Sequence, residues 1–181
     1  ASRCRDGRPI ETTMGFTPAS GLMMGSRPGD LDPGVLIHLM REGGLTTEQA
    51  DALINKRCGL LGVSQTSADI RNLLAIRATD VRAAEAIDLF CYQARKWIGA
   101  LAATMDGLDT LVFSGGIGEQ AAEIRAEICA GLAFLGIVVD AEANSDSLPV
   151  VSAETSGVAV RVIPTDEEGM IARETLTILR A

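Results

Sequence analysis

A chain of 181 residues, 47% hydrophobic and 22% charged, is long enough for one ordinary domain that buries about 70% of its unfolded surface, and too apolar for a disordered tail. Its net charge of -8 excludes broad binding to a phosphate backbone, so no nucleic-acid partner is expected and any phosphate site must be local. Cys4, Cys58, Cys91 and Cys129 lie far apart with one histidine in the chain, which signals neither zinc nor a disulfide framework but four buried or semi-buried free thiols in a reducing cytoplasm. No apolar run approaches the ~20 residues of a membrane span, and the amino terminus lacks the apolar core of a signal peptide. The protein reads as soluble and cytoplasmic, with no membrane partner.

Residues 2–13 predict a short hairpin with Asp6-Gly7 as its turn and Pro9 confining its strand to an edge. From Thr17 to Pro33 the breakers Pro18, Gly21, Gly25, Pro28, Gly29 and Pro33 predict a structured loop. Pro33 then opens a helix to Arg41, and Thr46 with Gln49 forms a capping-box signature before a helix to Lys56. From Val81 to Met105 a long helix carries a seam at Ala84, Ile87, Cys91, Ala94, Ile98, Leu101 and Met105. A strand over Asp109 to Phe113, a glycine-rich turn, a helix from Glu119 to Ala133 and a strand over Gly136 to Asp140 make a strand-helix-strand unit. Strands over Leu148 to Ser152 and Val158 to Ile163 precede a closing helix from Asp166 to Leu179. The class is mixed α/β.

Three loops carry possible chemistry. Leu111-Val112-Phe113 runs into Ser114-Gly115-Gly116-Ile117-Gly118-Glu119, where glycines admit a ligand close to the backbone and a helix start presents free N–H groups to negative charge. The plain alternative is a tight turn without a ligand. A second alternative is a dinucleotide fold, since Gly116 to Ala121 satisfies G-x-G-x-x-A and Asp140 ends the next expected strand. In Gly25-Ser26-Arg27-Pro28-Gly29-Asp30-Leu31-Asp32-Pro33, a guanidinium fixed between glycines and prolines suits a phosphoryl group. That arginine is either held in place by Asp30 or Asp32 for catalysis, or merely paired with them to brace the loop. Pro164-Thr165-Asp166-Glu167-Glu168 places acids at a helix start, where they complement the dipole or hold Mg²⁺ beside a phosphate. His38 reads as helix surface or packing.

Taken together and in order, the stretch from Thr13 to Pro33, the Ser114 to Glu119 block and Thr165 to Ala172 resemble the signatures of the acetate kinases and their relatives the propionate kinases. The likeness covers the whole chain. It implies a ribonuclease-H-like mixed sheet with flanking helices, the carboxyl-terminal domain of the acetate and sugar kinase, chaperone ATPase and actin superfamily, with residues 1–181 as one nucleotide-binding domain. It also implies reversible phosphoryl transfer between ATP and acetate, with ADP and acetyl phosphate as products and Mg²⁺ or Mn²⁺ as the metal.

By the same resemblance, Arg27 matches an arginine that stabilises the phosphoryl group in transfer, and Pro18 a wall of the acyl pocket. Asp69, Ile70 and Arg71 match one adenosine-binding segment, Gly116, Ile117, Gly118, Glu119 and Gln120 a second, and Glu167 a metal-associated glutamate. Family members are about twice as long, and their catalytic aspartate, second arginine, histidine and phosphate loop belong to an amino-terminal half that precedes Ala1. Expected partners are therefore that missing half and, through this domain, a second copy; the long Val81 to Met105 seam supports the second expectation.

Overall fold

The computed structural model describes residues 1–180 and opens on an antiparallel hairpin of β1 (Ser2–Arg5) and β2 (Arg8–Thr12). Asp6 and Gly7 take φ of 51° and 72° between the strands. Two successive left-handed residues suit the right-handed twist of a hairpin. The register slips between Arg3 and Cys4 and sets Cys4 against Pro9, the residue with no N–H for the ladder.

The loop that follows is ordered around Met23, which is 3% exposed. Asp30 donates its N–H to the Gly21 carbonyl at 2.9 Å, and Gly21 donates its N–H to Asp30 Oδ1 at 3.2 Å. Asp32 caps α1 (Pro33–Arg41), whose first residue is the expected proline. The capping box of α2 (Thr47–Lys56) is complete in both directions, Gln49 N–H to Thr46 Oγ1 at 3.3 Å and Thr46 N–H to Gln49 Oε1 at 2.9 Å. Two short helices, α3 (Gly59–Ser64) and α4 (Ile70–Ile76), lead to α5 (Val81–Ala103). That helix stops two residues before the expected Met105, because Asp106 and Gly107 turn to φ of 62° and 139°.

Helix α5 is the spine of the core. Ala83, Ala86, Ile87, Phe90, Cys91 and Ala94 are buried on it against α3, α4 and α7 (Ala122–Ala130). Of the expected seam, Ile87, Cys91, Ala94 and Leu101 are buried inside the chain, whereas Ala84, Ile98 and Met105 are half-buried. The same apolar cluster continues through Ile124, Ile128, Val151 and Val160.

Strand β3 (Thr110–Phe113) pairs in parallel with β4 (Ala159–Val162), Thr110 facing Ala159 and Phe113 facing Val162. Between them the sequence expectation needs correction. The single helix expected over 119–133 is two helices, α6 (Gly115–Gln120) and α7, broken at Ala121 with φ -108° and ψ 81°. The expected strands over 136–140 and 148–152 form only isolated antiparallel bridges, Val139 to Ser152 and Val150 to Arg161. Their backbones still join the sheet's free edge, with Val151 N–H on Val160 O at 2.8 Å and Asp140 N–H on Val151 O at 2.9 Å. Pro149 brings no N–H and Ser147 takes φ of 52°, which keeps this edge irregular. The sheet is thus mixed, parallel at β3–β4 and antiparallel beyond.

Helix α8 (Ala141–Ser145) is capped by Asp140, and the closing helix α9 (Glu167–Leu179) by Asp166. No residue of α1 or α9 is buried. Cys91 and Cys129 are buried and Cys58 half-buried, all free, but Cys4 is exposed, against expectation. Among the described residues no helix is long and apolar enough to cross a membrane.

Candidate nucleotide site

Strand β3 delivers the chain to Ser114, and Gly115 takes φ of 72° to start α6. Gly118 packs over Phe113, where a Cβ would stand 3.2 Å from the Phe113 carbonyl carbon, whereas a Cβ on Gly116 would meet nothing within 4 Å. The open side of this turn faces the start of α4. There Ser64, buried, accepts the N–H groups of Thr66 and Ser67 on its hydroxyl at 3.2 Å each and fixes the loop. Asp69 caps α4 through the Arg71 N–H at 2.9 Å and also binds the Arg71 side chain, Nη2 to Oδ2 at 2.5 Å. Those hydrogen bonds from Arg71 hold the Asp69 carboxyl down at about 2.

Between the two segments lies a cavity of about 420 Å³ lined by Ala68, Asp69, Ile70 and Arg71 from one side and Gly116, Ile117, Gln120 and Ala121 from the other. Its size is that of a small-molecule site. Segments whose Asp69 and Gly116 stand 47 residues apart in sequence thus share one space. Ala68 and Ala121 are not among the expected adenosine-binding residues; as small neutral residues they carry no chemical signal. Gly118 and Glu119 do not line the cavity. A larger space of about 550 Å³ beside α7 and α8 is walled mostly by small and apolar residues such as Ala122, Ala126, Ala133 and Val138, with Glu123, Asn144 and Ser145 as its polar lining.

Glu119 has a different task. Its Oε1 accepts the N–H of Gly115 at 2.7 Å, and the N–H and Oγ1 of Thr165 at 3.0 and 3.1 Å. The Thr165 N–H above all lowers the Glu119 pKa from its ordinary value. This carboxylate ties the glycine turn to the loop that starts α9, so the acidic motif stands beside the glycine motif. Within that motif Asp166 is committed to the Gly169 N–H at 3.1 Å and to Arg173 at 3.2 Å. Glu167 is exposed in the first turn of α9 with no ion pair among the described residues. No group of three His, Cys, Asp or Glu able to hold a metal is found among the described residues. One free carboxylate fits Mg²⁺, which takes one or two from protein and the rest from phosphates and water.

The Arg27 loop is clamped to the start of α3. Leu60, Leu61 and Cys58 donate their N–H groups to the carbonyls of Met24, Gly25 and Ser26 at 3.0, 2.9 and 3.0 Å. The fit requires glycine at Gly59, with φ of 64° and Arg27 and Met24 backbone against its α-carbon. Gly25 in turn abuts Ala68 of the cavity wall, where a Cβ would lie 2.7 Å from the Ala68 carbonyl oxygen. Neither acid braces Arg27, which removes the loop-bracing alternative and the expected acid support, but not the guanidinium fixed between glycines and prolines. Asp30 pairs with Lys96 at 3.0 Å and Asp32 caps α1. The half-buried Arg27 side chain has no hydrogen bond or ion pair among the described residues. Pro18 is exposed in the same loop, and His38 is exposed on α1, away from any assigned chemistry.

The G-x-G-x-x-A alternative fails on this geometry: Asp140 caps a helix, and the strand beside β3 is β4, not residues 136–140. What remains is a mixed α/β fold with small sheets and flanking helices, and the comparisons place it in a family. The model of the acetokinase family matches residues 1–173. An acetate kinase of Solibacter usitatus is 47% identical over 97% of the chain, and the match covers 44% of that relative. The crystal structure of Porphyromonas gingivalis acetate kinase matches with a TM-score of 0.90 at 45% identity, over 97% of this chain and 45% of that one. A Francisella tularensis propionate kinase structure matches with a TM-score of 0.90 at 37% identity, over 96% of this chain and 45% of that one. The chain belongs to the acetokinase family, and it spans less than half the length of these relatives.

Proposed function

We propose that this chain is the nucleotide-binding half of an ATP:acetate phosphotransferase. The observation that carries the reading is the cavity between Ala68–Arg71 and Gly116–Ala121, two segments that the family resemblance assigns separately to adenosine. Residues 1–180 act as one unit around a single apolar cluster. The adenine and ribose lie between Ile70, Arg71 and the open face of Gly116. The unpaired Arg27 guanidinium meets the spread charge of the phosphoryl group in transfer, where a preorganised cation lowers the barrier. Glu167 contributes a carboxylate or a water-mediated contact to the metal that accompanies the nucleotide, and Pro18 lines the acyl end.

The bare apolar residues of α9, Ile171, Ile178 and Leu179 at 66, 74 and 77% exposure, support a completing half of the enzyme as partner. Acetate is the proposed acyl substrate, on the strength of the family; dimerisation rests on the resemblance alone. Catalysis needs the completing half, because phosphoryl transfer depends on charge stabilisation from both sides of a cleft.

The test is calorimetry of the chain with ADP, beside Gly116→Leu. Gly116 has ordinary backbone angles and open space around it, so leucine fills the cavity without strain. Binding by the parent chain, lost in the variant at unchanged melting temperature, is expected. Equal ADP affinity in the two chains would show that the nucleotide lies elsewhere. With the completing half present, the ratio of kcat/KM for acetate and propionate tests the acyl assignment.

A further inference from the structure

The largest side chain buried to 1% exposure is a charged one, Arg125 on α7. Every one of its five N–H groups has an acceptor. Nη1 donates to the carbonyls of Gly118 and Glu119 at 2.9 and 3.0 Å, Nη2 to the Asn144 carbonyl and Ser147 Oγ at 2.6 and 2.9 Å, and Nε to Asn144 Oδ1 at 2.8 Å. Asn144, also buried, completes the frame with its Nδ2 on the Ala122 carbonyl at 2.9 Å. No carboxylate takes part. A lone buried cation is costly, and burial lowers the Arg125 pKa from its ordinary value. A sequence that keeps such a group, where leucine would fill the space, places it for its geometry.

That geometry is specific to the cavity. Helix α6 has six residues, too few to hold itself, and it breaks at Ala121. The Gly118 and Glu119 carbonyls at its end lack the next turn that would satisfy them. Arg125 supplies both donors at once, with its charge at the negative end of the helix. Gly116, Ile117, Gln120 and Ala121, which form one wall of the cavity, belong to this helix or its break. We infer that Arg125 is a positioning residue that fixes α6 and the Ala121 break in the geometry that admits a nucleotide, while touching none of it. The inference rests on the nucleotide reading above. Lysine, with three donors at one point instead of five in a planar fork, cannot reproduce the frame.

The experiment compares the chain with Arg125→Lys, Arg125→Met, Asn144→Ala and Ile128→Val. The last thins the buried face of α7 without touching the frame and serves as a stability control. Expected is at least a ten-fold loss of ADP affinity in both Arg125 variants and a smaller loss in Asn144→Ala. These are read well below each melting temperature, with Ile128→Val unchanged in affinity. Backbone amide NMR shifts at Gly116, Ile117 and Gln120 are expected to move in Arg125→Lys and stay in Ile128→Val. Should Arg125→Met not fold, Arg125→Lys and Asn144→Ala carry the comparison. ADP affinity within two-fold of the parent in Arg125→Lys, or equal losses in Ile128→Val, overturns the positioning role. Failure of the parent chain to bind ADP would instead remove the nucleotide reading. The amide shifts then decide whether Arg125 sets α6: unmoved shifts overturn it, and moved shifts support it.

Discussion

Gly59→Ala isolates the joint between the Arg27 loop and α3. Gly59 sits at φ of 64°, and a Cβ there would stand 2.1 Å from the Met24 carbonyl oxygen and 2.7 and 2.8 Å from Arg27 O and N. The left-handed backbone alone costs an alanine about 1–2 kcal/mol. The first contact is about 0.9 Å short of the closest separation that real Cβ atoms show, and its partner is backbone that cannot swing aside. Relief means moving the strip of carbonyls that accept from Cys58, Leu60 and Leu61. Losing one or two of those hydrogen bonds adds about 0.5–1.5 kcal/mol each. A total of about 1.5–5 kcal/mol is expected, a sizeable part of the ~5–15 kcal/mol that holds a domain of ordinary stability. Gly44→Ala is the control: it has φ of 66° but nothing within 4 Å of its Cβ, so only the backbone term applies. Urea unfolding, followed by the single tryptophan, Trp97, gives both values. A difference between the two variants below about 0.5 kcal/mol would refute the claim that backbone contact at Gly59 seats the Arg27 loop, since the φ term is common to both.

Arg27→Ala is expected to change stability by less than ~0.5 kcal/mol, because the guanidinium has no partner to lose, yet to lower kcat at least ~100-fold once the completing half is present; parallel losses of ADP affinity and kcat would count against the transition-state role. Asp69 has its pKa depressed to about 2, so its contribution is in place above the ordinary carboxylate range near ~4 and is lost only as pH falls toward 2. NMR titration of its carboxyl checks the midpoint, and a midpoint near 4 would mean that Arg71 is not bound to it in solution. For the thiols, burial pushes Cys91 and Cys129 up to about 12, whereas Cys4 is exposed. A disulfide reagent at pH 8 should therefore label Cys4 quickly and the other two only on unfolding; rapid labelling of Cys129 would contradict the packing of α7.

How much of this was legible depended on how local the cause was. The Asp6-Gly7 turn, Pro33 at the start of its helix, and Thr46 with Gln49 each depend on neighbours within four residues, and each formed as expected. The edge segments 136–140 and 148–152 were misread because Ile137-Val138-Val139 and Val150-Val151 have the apolar character of buried strands. Apolar character reports burial, and Ile137 and Val151 are indeed buried. It does not report whether a ladder forms, which here is limited by Pro149 and the turn at Ser147. The break at Ala121 was invisible for a similar reason: no glycine or proline marks it, and its support comes from Arg125 and from Asn144, 23 residues further on from Ala121. One clue to that support was present. Ala121, Ile124, Ile128 and Leu132 form an apolar stripe at helical spacing, and Arg125 stands within it. A charge inside such a stripe has to be satisfied by something distant.

The acids around the site explain how a chain of net charge -8 leaves the Arg27 guanidinium without an ion pair among the described residues. Asp30 is held by Lys96 and the Gly21 N–H, Asp32 by the start of α1, Asp69 by Arg71, and Glu119 by Gly115 and Thr165. Each is committed to a cap or a strut, so none is left to neutralise Arg27. At surface dielectric a carboxylate 4 Å from that guanidinium would attract it by about 4 kcal/mol, comparable to what an added anion could gain there. Directing these four acids to backbone N–H groups leaves them unavailable to the guanidinium. The same commitments set the loops that carry the charge, since Asp30 closes the Gly21 turn and Glu119 joins the glycine segment to the start of α9. On the proposed reading, an unneutralised Arg27 and the rigidity of the loops around it thus come from one set of carboxylates.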